Sequence, residues 1–307
     1  MRVCLMVEGQ EDVTWAQWVA LAQTAERSGF EALFRSDHYL SVQGRRERGS
    51  LDAWTTLAAL GACTDTIRLG TMVSPTSFRH PSVLAKSVVT ADHVSGGRVE
   101  LGLGAGWLET EHRAYGFPFH DTPTRMDVLE EQLEIVHGQW SEGPFSFSGS
   151  HYAVEQLDAL PKPVQRPRPP IVIGGSAGPR SLRLAARYAD EYNTIFATPD
   201  RCREVRGLLD DACEAAGRSE RMPLSLMTTV LVGADRADYE ARVAALERRS
   251  GQGEVSDAWV AGTVDAAVDR LRELESAGVE RIMLQHLLHE DLEAVELIGA
   301  EIIPALR

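Results

Sequence analysis

An alternation of short apolar runs with longer amphipathic segments constrains this chain more than any other feature. Between Ile67 and Gly116, two runs rich in Val, Leu and Ile, each ending in glycines, flank about fifteen residues with helical apolar spacing. This pattern predicts a strand, a helix and a second strand parallel to the first. Along 307 residues we count eight such strand and helix units. We therefore expect a single (β/α)8 TIM barrel over residues 1–307, with insertions in the loops at its C-terminal face.

The predicted strands are apolar and lie at Val3–Val7, Ala32–Arg35, Ile67–Met72, Val99–Leu103, Ile171–Ile173, Glu191–Phe196, Leu224–Val232 and Arg281–Gln285. Segments without a specificity motif interrupt the alternation at Ser41–Ser50, Gly104–Thr122, Ser141–Gln156 and Ala234–Gly262. We expect them to shape a substrate pocket, because active-site loops of barrels follow the strands. A doubly wound open sheet is the alternative fold, but eight units exceed what such a sheet usually holds.

Charge and composition exclude several classes of partner. The chain has 45 acidic and 31 basic residues and a formal charge of -14, so we expect no binding to nucleic acid. Met1–Gly9 lacks the pattern of a signal peptide and no apolar run reaches membrane length, which predicts a cytoplasmic protein without membrane contact.

Cys4, Cys63, Cys202 and Cys213 form no CxxC pair and lie within predicted strands or helices. We expect four reduced, buried thiols.

A glycine-rich turn leads from the strand Ile171–Ile173 into a helix. Its residues are Gly174, Gly175, Ser176, Gly178 and Pro179, followed by Arg180. Unhindered backbone N–H groups and the positive end of a helix dipole would meet at this turn, and that combination suits a phosphate. An ordinary tight turn is the alternative interpretation.

A second set of glycines, Gly102, Gly104 and Gly106, follows the strand Val99–Leu103. Their G-x-G-x-G spacing is not the G-x-G-x-x-G of dinucleotide-binding proteins. We interpret them as space for a flat ring against the strand ends, with Trp107 as a wall.

A histidine at a strand end is the first candidate for proton transfer. His38 follows Asp37, and a neighbouring carboxylate can orient an imidazole that exchanges protons near neutral pH. A surface loop histidine is the alternative.

Glu109, Glu111 and His112 do not have the spacing of known metal ligands, so we expect solvated side chains and no metal site. Two further histidines, His286 and His289, could line the end of the barrel or cap the last helix.

Five segments together resemble the luciferase-like monooxygenase superfamily, and within it the coenzyme F420-dependent oxidoreductases of actinobacteria. They are SDHY at 36–39, LGTMVSPTSFRHPSVLAKS at 69–87, SGGRVELGLGAGWLETEHRAYGFPF at 95–119, LPKPVQRPRPPIVIGGSAGPRSLRLAARYADEYN at 160–193 and LQHLLHEDL at 284–292. The resemblance covers nearly the whole chain.

The resemblance implies a TIM barrel, usually dimeric, with a deazaflavin or flavin ring at the C-terminal end of the strands. Met72 and Val73 match a strand end that carries a non-prolyl cis peptide and supports the ring. Asp37 and His38 match a ring contact and the proton-transfer histidine. The matching phosphate loop comprises Gly174, Gly175, Ser176, Gly178, Pro179 and Arg180. Relatives that oxidise a sugar phosphate have a glutamate where Trp107 stands, which makes Glu109, two residues on, the candidate acid.

The predicted function is an F420-dependent oxidoreductase that transfers a hydride between the deazaflavin C5 and a small organic substrate, with His38 exchanging the matching proton. One alternative is an FMN-dependent monooxygenase that uses reduced flavin and oxygen. The other is a protein that binds a flavin or deazaflavin without catalysis. The sequence does not name the substrate.

Overall fold

Eight parallel strands close into a barrel in the computed structural model, which describes residues 1–251 and 254–307. The strands are β1 (Arg2–Val7), β2 (Ala32–Arg35), β3 (Arg68–Thr71), β4 (Val99–Gly104), β5 (Ile171–Gly174), β6 (Glu191–Ile195), β7 (Leu224–Gly233) and β8 (Arg281–Gln285). Met6 on β1 lies opposite Gln285 on β8 and Phe34 on β2, so the last strand pairs with the first. The predicted (β/α)8 barrel is confirmed, and each predicted strand ends within one residue of the observed one.

Helices surround the barrel in the order that the sequence predicts. They are α1 (Trp15–Arg27), α2 (Ala53–Ala62), α3 (Pro81–Ser95), α4 (Glu109–Tyr115), α5 (Thr122–Trp140), α6 (Pro179–Tyr188), α7 (Pro199–Ala215), α8 (Arg236–Ser250), α9 (Val264–Ser276) and α10 (Leu292–Leu297), which a π-helical turn Ile298–Ile302 continues. Local signals set their starts: Thr14 and Gln17 form a capping box, and Pro81 occupies the first turn of α3. Within the described residues, no helix has the length and apolar character that crossing a bilayer requires.

The inside of the barrel is filled by side chains. Sulfur-containing and aromatic residues form an inner core that includes Met6, Phe34 and Met283. Below it, at the N-terminal ends of the strands, Arg281 is bound by Glu100 at 2.7 Å and by Glu191 at 3.3 Å, all three buried. A ligand therefore finds space at the opposite end, where the strands end in loops. We call that C-terminal end of the barrel the mouth.

The predicted insertions contain structure of their own. The segment Gly104–Thr122 holds α4, and Ala234–Gly262 holds α8 and the start of a short strand, Val260–Thr263, that pairs with β7. Gln252 and Gly253, within that last predicted insertion, lie outside the described residues. Within the segment Ser141–Gln156 and just beyond it, two short antiparallel strands, Phe145–Ser148 and Ala153–Leu157, form a hairpin. This insertion differs from the others, because it joins α5 to β5 and so connects a helix to a strand.

The proline-rich segment 160–170 is a strap across the surface. Asp92 of α3 accepts hydrogen bonds from the backbone N–H groups of Val164 and Gln165, and Lys86 donates to the carbonyl of Leu160. These contacts anchor the strap on α3. It then leads directly into β5.

The four cysteines are free thiols, but they are not all buried. Burial raises the pKa of Cys4 to about 12 and that of Cys202 to about 11, and Cys213 is also buried. Cys63 is exposed, so the prediction of burial is wrong for this residue. The reason is its position as the C-cap of α2, after the last inward-facing turn.

Candidate active site

Residues from four consecutive strand ends meet at the mouth. Ser36–Tyr39 follow β2, Met72–Ser74 follow β3, Gly104–Trp107 lie at the end of β4, and Gly174–Pro179 lie at the end of β5. Because these strands are neighbours in the barrel, the predicted site residues lie at the same end of the fold, with the exceptions described below.

Val73 lies at the centre of the floor of the mouth, and the glycines around it make room for its side chain. The Met72–Val73 peptide bond is cis, as the resemblance implies. A Cβ at Gly104 would lie 2.7 Å from Val73 Cγ2, and one at Gly174 would lie 3.1 Å from Val73 Cγ1. A Cβ at Gly102 would collide with the carbonyl oxygen of Thr71. The packing of the protein itself therefore requires glycine at these positions, whether or not a ring binds there. The prediction from the sequence considered only the space for a ring.

His38 forms a hydrogen-bonded pair with Glu111. The distance from His38 Nδ1 to Glu111 Oε2 is 2.8 Å, and the other carboxylate oxygen accepts the backbone N–H groups of Tyr39 and Leu40. Glu111 is fully buried, whereas the His38 side chain retains 16% of its exposure. His38 is therefore an oriented residue of the mouth and not an ordinary surface histidine.

The charge around His38 favours its protonated form. Burial lowers the pKa of His38, but the hydrogen bond and negative charge of Glu111 outweigh burial and raise the pKa above its ordinary value. Glu8, at the end of β1, adds to this effect. The Glu8 carboxylate accepts hydrogen bonds from the amides of Gln10 and Gln285, both at 2.6 Å. Glu8 was not among the predicted site residues, although its place directly after a strand could have indicated it.

Asp37 does not orient His38. Its carboxylate binds Arg79, with 2.6 Å between Oδ2 and the nearer guanidinium nitrogen, and also accepts the hydroxyl of Ser74 at 2.6 Å. Arg79 bridges onward to Asp52 at 2.5 Å. Asp37 is 1% exposed, so its side chain forms a buried support behind the mouth. Its predicted contact with a cofactor ring stays a prediction.

On helix α4, the two glutamates Glu109 and Glu111 lie in different environments. Glu109 is 58% exposed and pairs with Arg113 at 2.8 Å, as expected for a solvated side chain. Glu111 and His112 are buried, so the prediction of solvated charges is wrong for them. His112 uses both ring nitrogens, with 2.8 Å to the carbonyl of Leu108 and 2.5 Å to the hydroxyl of Ser77. The acid beside His38 is therefore Glu111, and Glu109 points to solvent.

Large apolar side chains stand exposed around the mouth. Trp107 is 63% exposed, and its ring meets that of His38 edge-on, with 5.7 Å between centroids. The backbone turns before Trp107 at Gly106, whose φ of 77° suits glycine, and the role of Trp107 as a wall for a ring stays a prediction. Ile195, the last residue of β6, and Phe196, which follows it, are 49% and 42% exposed. Both residues belong to the predicted strand Glu191–Phe196 and were not among the predicted site residues.

The predicted phosphate loop is held in shape by Tyr192. The Tyr192 hydroxyl accepts the backbone N–H of Ala177 at 2.8 Å and lies 3.1 Å from the hydroxyl of Ser181. Ser176 is exposed, and no side chain caps α6 at Gly178. The N–H groups of the first turn of α6 are thus available to an anion.

Arg180 has other partners in the structure. Its guanidinium lies 2.5 Å from Asp127 and 3.2 Å from Glu130 on α5, and the hydrogen bond to Asp127 raises its pKa. Arg201 of α7 instead approaches the loop, donating to the carbonyl of Ser176 at 3.1 Å. The predicted role of Arg180 in phosphate binding would require it to leave its two acids.

The two histidines that follow β8 are buried. His286 and His289 are 4% and 3% exposed, and burial lowers the pKa of each to about 4. Arg249 lies 3.1 Å from the ring of His289. Neither histidine offers an open ring to the mouth. Among the described residues, no cluster of three or more His, Cys, Asp or Glu side chains has an arrangement that could hold a metal ion.

The chain is similar to known proteins over most of its length. Residues 3–256 match the family model described as luciferase-like monooxygenase. An FMNH2-dependent dimethylsulfone monooxygenase of Pseudomonas putida is 28% identical, covering 94% of this chain and 86% of that protein. An F420-dependent glucose-6-phosphate dehydrogenase of Microbacterium testaceum is 34% identical, covering 64% of this chain and 57% of that protein.

The fold has solved counterparts. The structure titled F420-dependent secondary alcohol dehydrogenase in complex with an F420-acetone adduct superposes with a TM-score of 0.85, covering 100% of this chain and 99% of the other. The two sequences are 19% identical, so this similarity concerns the fold alone.

Proposed function

This chain belongs to the luciferase-like monooxygenase family, and from that premise we propose that it is an oxidoreductase that uses coenzyme F420. The reaction is hydride transfer between the cofactor and a small organic substrate. The observation that carries this proposal is the pair of His38 and Glu111 at the mouth, which provides one oriented proton-exchanging group beside an exposed wall. The 34% identity to an F420-dependent dehydrogenase favours the same cofactor.

The residues of the mouth fit a cofactor that combines a flat ring with a phosphate. The N–H groups of Gly175 and Ala177 are already bound within the protein, but the first turn of α6 has no side-chain cap and can offer its N–H groups, and Ser176 adds a hydroxyl. The ring would lie over Val73, against Trp107. These positions would hold either a deazaflavin or a flavin, because both carry a ring and a phosphate.

When bound, the deazaflavin accepts or donates a hydride at C5. The chain supplies the rest of the reaction: Val73 and Trp107 orient the reacting partners, and His38 takes up or returns the proton. The apolar side chains Ile195 and Phe196 reduce the access of water to the reacting atoms. The His38 ring lies next to Trp107, where a substrate would stack.

A paired titration with F420 and FMN tests the choice of cofactor. We expect micromolar binding of F420 and much weaker binding of FMN, followed by quenching of the exposed Trp107. Trp107→Phe serves as the control that assigns the signal. The reverse preference would refute the F420 proposal and support an FMN-dependent monooxygenase, an alternative favoured by the flavin-dependent relative that covers 94% of this chain.

Replacement of His38 tests the proton-transfer role. His38→Ala should lower turnover roughly 100-fold while leaving cofactor affinity nearly unchanged, because general acid–base catalysis contributes about that much. The matched control is His151→Ala, on the exposed turn of the hairpin. Full activity of His38→Ala would remove this residue from the mechanism. Measurable turnover of the parent protein with any acceptor would exclude a protein that only binds the cofactor.

We also propose that the protein is a homodimer through α2 and α3. The exposed residues of these helices are uncharged and include Ala59, Val83 at 57% exposure and Val94 at 46%. Lys86 of α3 is a charged side chain on this face, and its Nζ already donates to the carbonyl of Leu160, so a second copy could pack around it. Light scattering should give twice the 33.7 kDa chain mass, and Val83→Glu should give the monomer, while Ala237→Glu on exposed α8 should not. A monomeric parent protein would refute the proposal.

A further inference from the structure

We propose that Glu111 is a positioning residue that holds His38 in the tautomer able to accept a proton at the mouth. The inference rests on the proposed role of His38 and adds the residue that determines the state of its ring. Glu111 lies on α4, within a segment that the sequence analysis treated as an irregular insertion. The two residues belong to different strand-to-helix connections and are 73 positions apart.

The carboxylate of Glu111 is held on both sides. Oε2 faces His38 Nδ1 at 2.8 Å, while Oε1 accepts the N–H of Leu40 at 2.8 Å and that of Tyr39. The side chain has 0% exposure, so no water replaces these donors. Two backbone donors on one oxygen prevent the carboxylate from rotating away from the imidazole. Its position is therefore determined by the chain that follows β2, which also carries His38.

This geometry selects one tautomer of neutral His38. An ionised carboxylate only accepts hydrogen bonds, so Nδ1 carries the hydrogen and donates it to Glu111. Nε2 then has a free lone pair. When the substrate is oxidised it loses a hydride and a proton. A bound oxidised deazaflavin would supply the acceptor for the hydride, and Nε2 would take up the proton; reduction of the substrate would reverse both transfers.

Other charges near His38 do not make this selection. Asp37 is bound by Arg79 and Ser74, and Glu8 is bound by two glutamine amides. Both carboxylates raise the pKa of His38 through their charge, as Glu111 does, but neither is hydrogen-bonded to its ring. Among the described residues, Glu111 is the hydrogen-bond partner of the His38 ring.

Glu111→Gln would exchange the acceptor that faces His38 for a donor, with little change in the shape of the side chain. The glutamine oxygen would still accept the N–H groups of Tyr39 and Leu40, which leaves the amide NH2 group facing His38. That group donates, so Nδ1 would have to accept and the hydrogen would move to Nε2. The variant would thus place a donor where the parent protein has an acceptor.

The structure offers a matched control at Glu26. Its carboxylate accepts the backbone N–H groups of Asp65, Thr66 and Ile67 at 2.6–2.9 Å, so it also holds a loop. It belongs to α1 and is absent from the groups whose charge acts on His38. Glu26→Gln therefore makes the same chemical change in a similar structural role.

The experiment is NMR of protein labelled with 15N in its histidines, with the His38 signals assigned from their loss in His38→Asn. We expect the Nδ1–H tautomer in the parent protein and in Glu26→Gln. Glu111→Gln should show the Nε2–H tautomer and a lower His38 pKa, since it loses a charged partner. Thermal melting of each variant confirms that it folds.

An Nε2–H tautomer in the parent protein would overturn the proposal, even if Glu111→Gln failed to fold. An unchanged tautomer in a folded Glu111→Gln variant would do the same, as would an equal change in Glu26→Gln. These measurements need neither cofactor nor substrate, so they separate failure of the Glu111 proposal from failure of the F420 proposal. With an active enzyme, the acidic limb of the kcat profile should move to lower pH in Glu111→Gln, together with a lower maximum. A purely structural role would lower activity without moving that limb.

Discussion

The packing of glycines around Val73 leads to a quantitative prediction for Gly104→Ala. The new Cβ would lie 2.7 Å from Val73 Cγ2, about 1 Å closer than the optimal separation of two carbon atoms. Overpacking of this size costs about 1–3 kcal/mol in free energy of unfolding. Gly104 does not have a positive φ, so the backbone adds no further penalty.

Removal of the obstructing methyl groups should reverse part of this cost. Val73→Ala alone should destabilise the protein by about 1 kcal/mol, because Val73 is only partly buried. In Gly104→Ala/Val73→Ala the new methyl group has room. The double variant should therefore be about 1–2 kcal/mol more stable than the sum of the single changes, a coupling within the range of contacting residues.

Urea denaturation followed by tryptophan fluorescence measures all four proteins of this cycle. Gly178→Ala is the matched control, since a Cβ there meets nothing within 4 Å. Gly178 is the N-cap of α6, where alanine is less favourable than glycine, so this control should cost at most about 1 kcal/mol. The packing argument would be refuted if Gly104→Ala destabilised no more than Gly178→Ala. Simple additivity of Gly104→Ala and Val73→Ala would refute it as well.

Three further predictions concern the loop, the thiols and the pH dependence. Tyr192→Phe removes the hydroxyl that accepts the Ala177 N–H, a hydrogen bond that contributes about 1 kcal/mol. Calorimetry should show weaker cofactor binding in this variant, and unchanged affinity would mean that the loop does not need this hydrogen bond. A thiol reagent should modify one cysteine rapidly in the folded protein, and Cys63→Ser should abolish that fast phase. Because burial lowers the pKa of His286 to about 4, the unfolded chain takes up a proton at a higher pH than the folded protein does. The free energy of unfolding should therefore fall as the pH decreases from 6.5 to 4. His286→Leu should flatten that slope, by up to about 1.4 kcal/mol per pH unit, in denaturation curves.

The barrel was predictable because its determinants are local. Parallel strands buried on both faces are short apolar runs: β2 is apolar except for its last residue, and β8 is apolar except for its first and last residues. Helix starts are also local, as Thr14 and Pro81 show. The short helix α4 was missed because its apolar residues are too few to give a helical period.

The members of the site were predictable as a group but not in their individual roles. Position after a strand indicated His38, Val73 and the loop at Gly174–Gly178, since barrel strands end at one face. It could not show that Arg180 binds acids of α5, because that depends on how α5 and α6 pack. Similarly, the exposure of Phe196 depends on where neighbouring loops leave space.

The sequence by itself determined the alternation of strands and helices, the end of the barrel where chemistry collects, and the family. Only the tertiary structure decided which acid serves His38. Glu109 and Glu111 are two residues apart, and at about 100° per residue they project from nearly opposite sides of α4. A periodic pattern cannot reveal which side faces the barrel, because that depends on contacts between α4 and the chain after β2. Burial of Glu111 against the N–H groups of Tyr39 and Leu40 makes that choice.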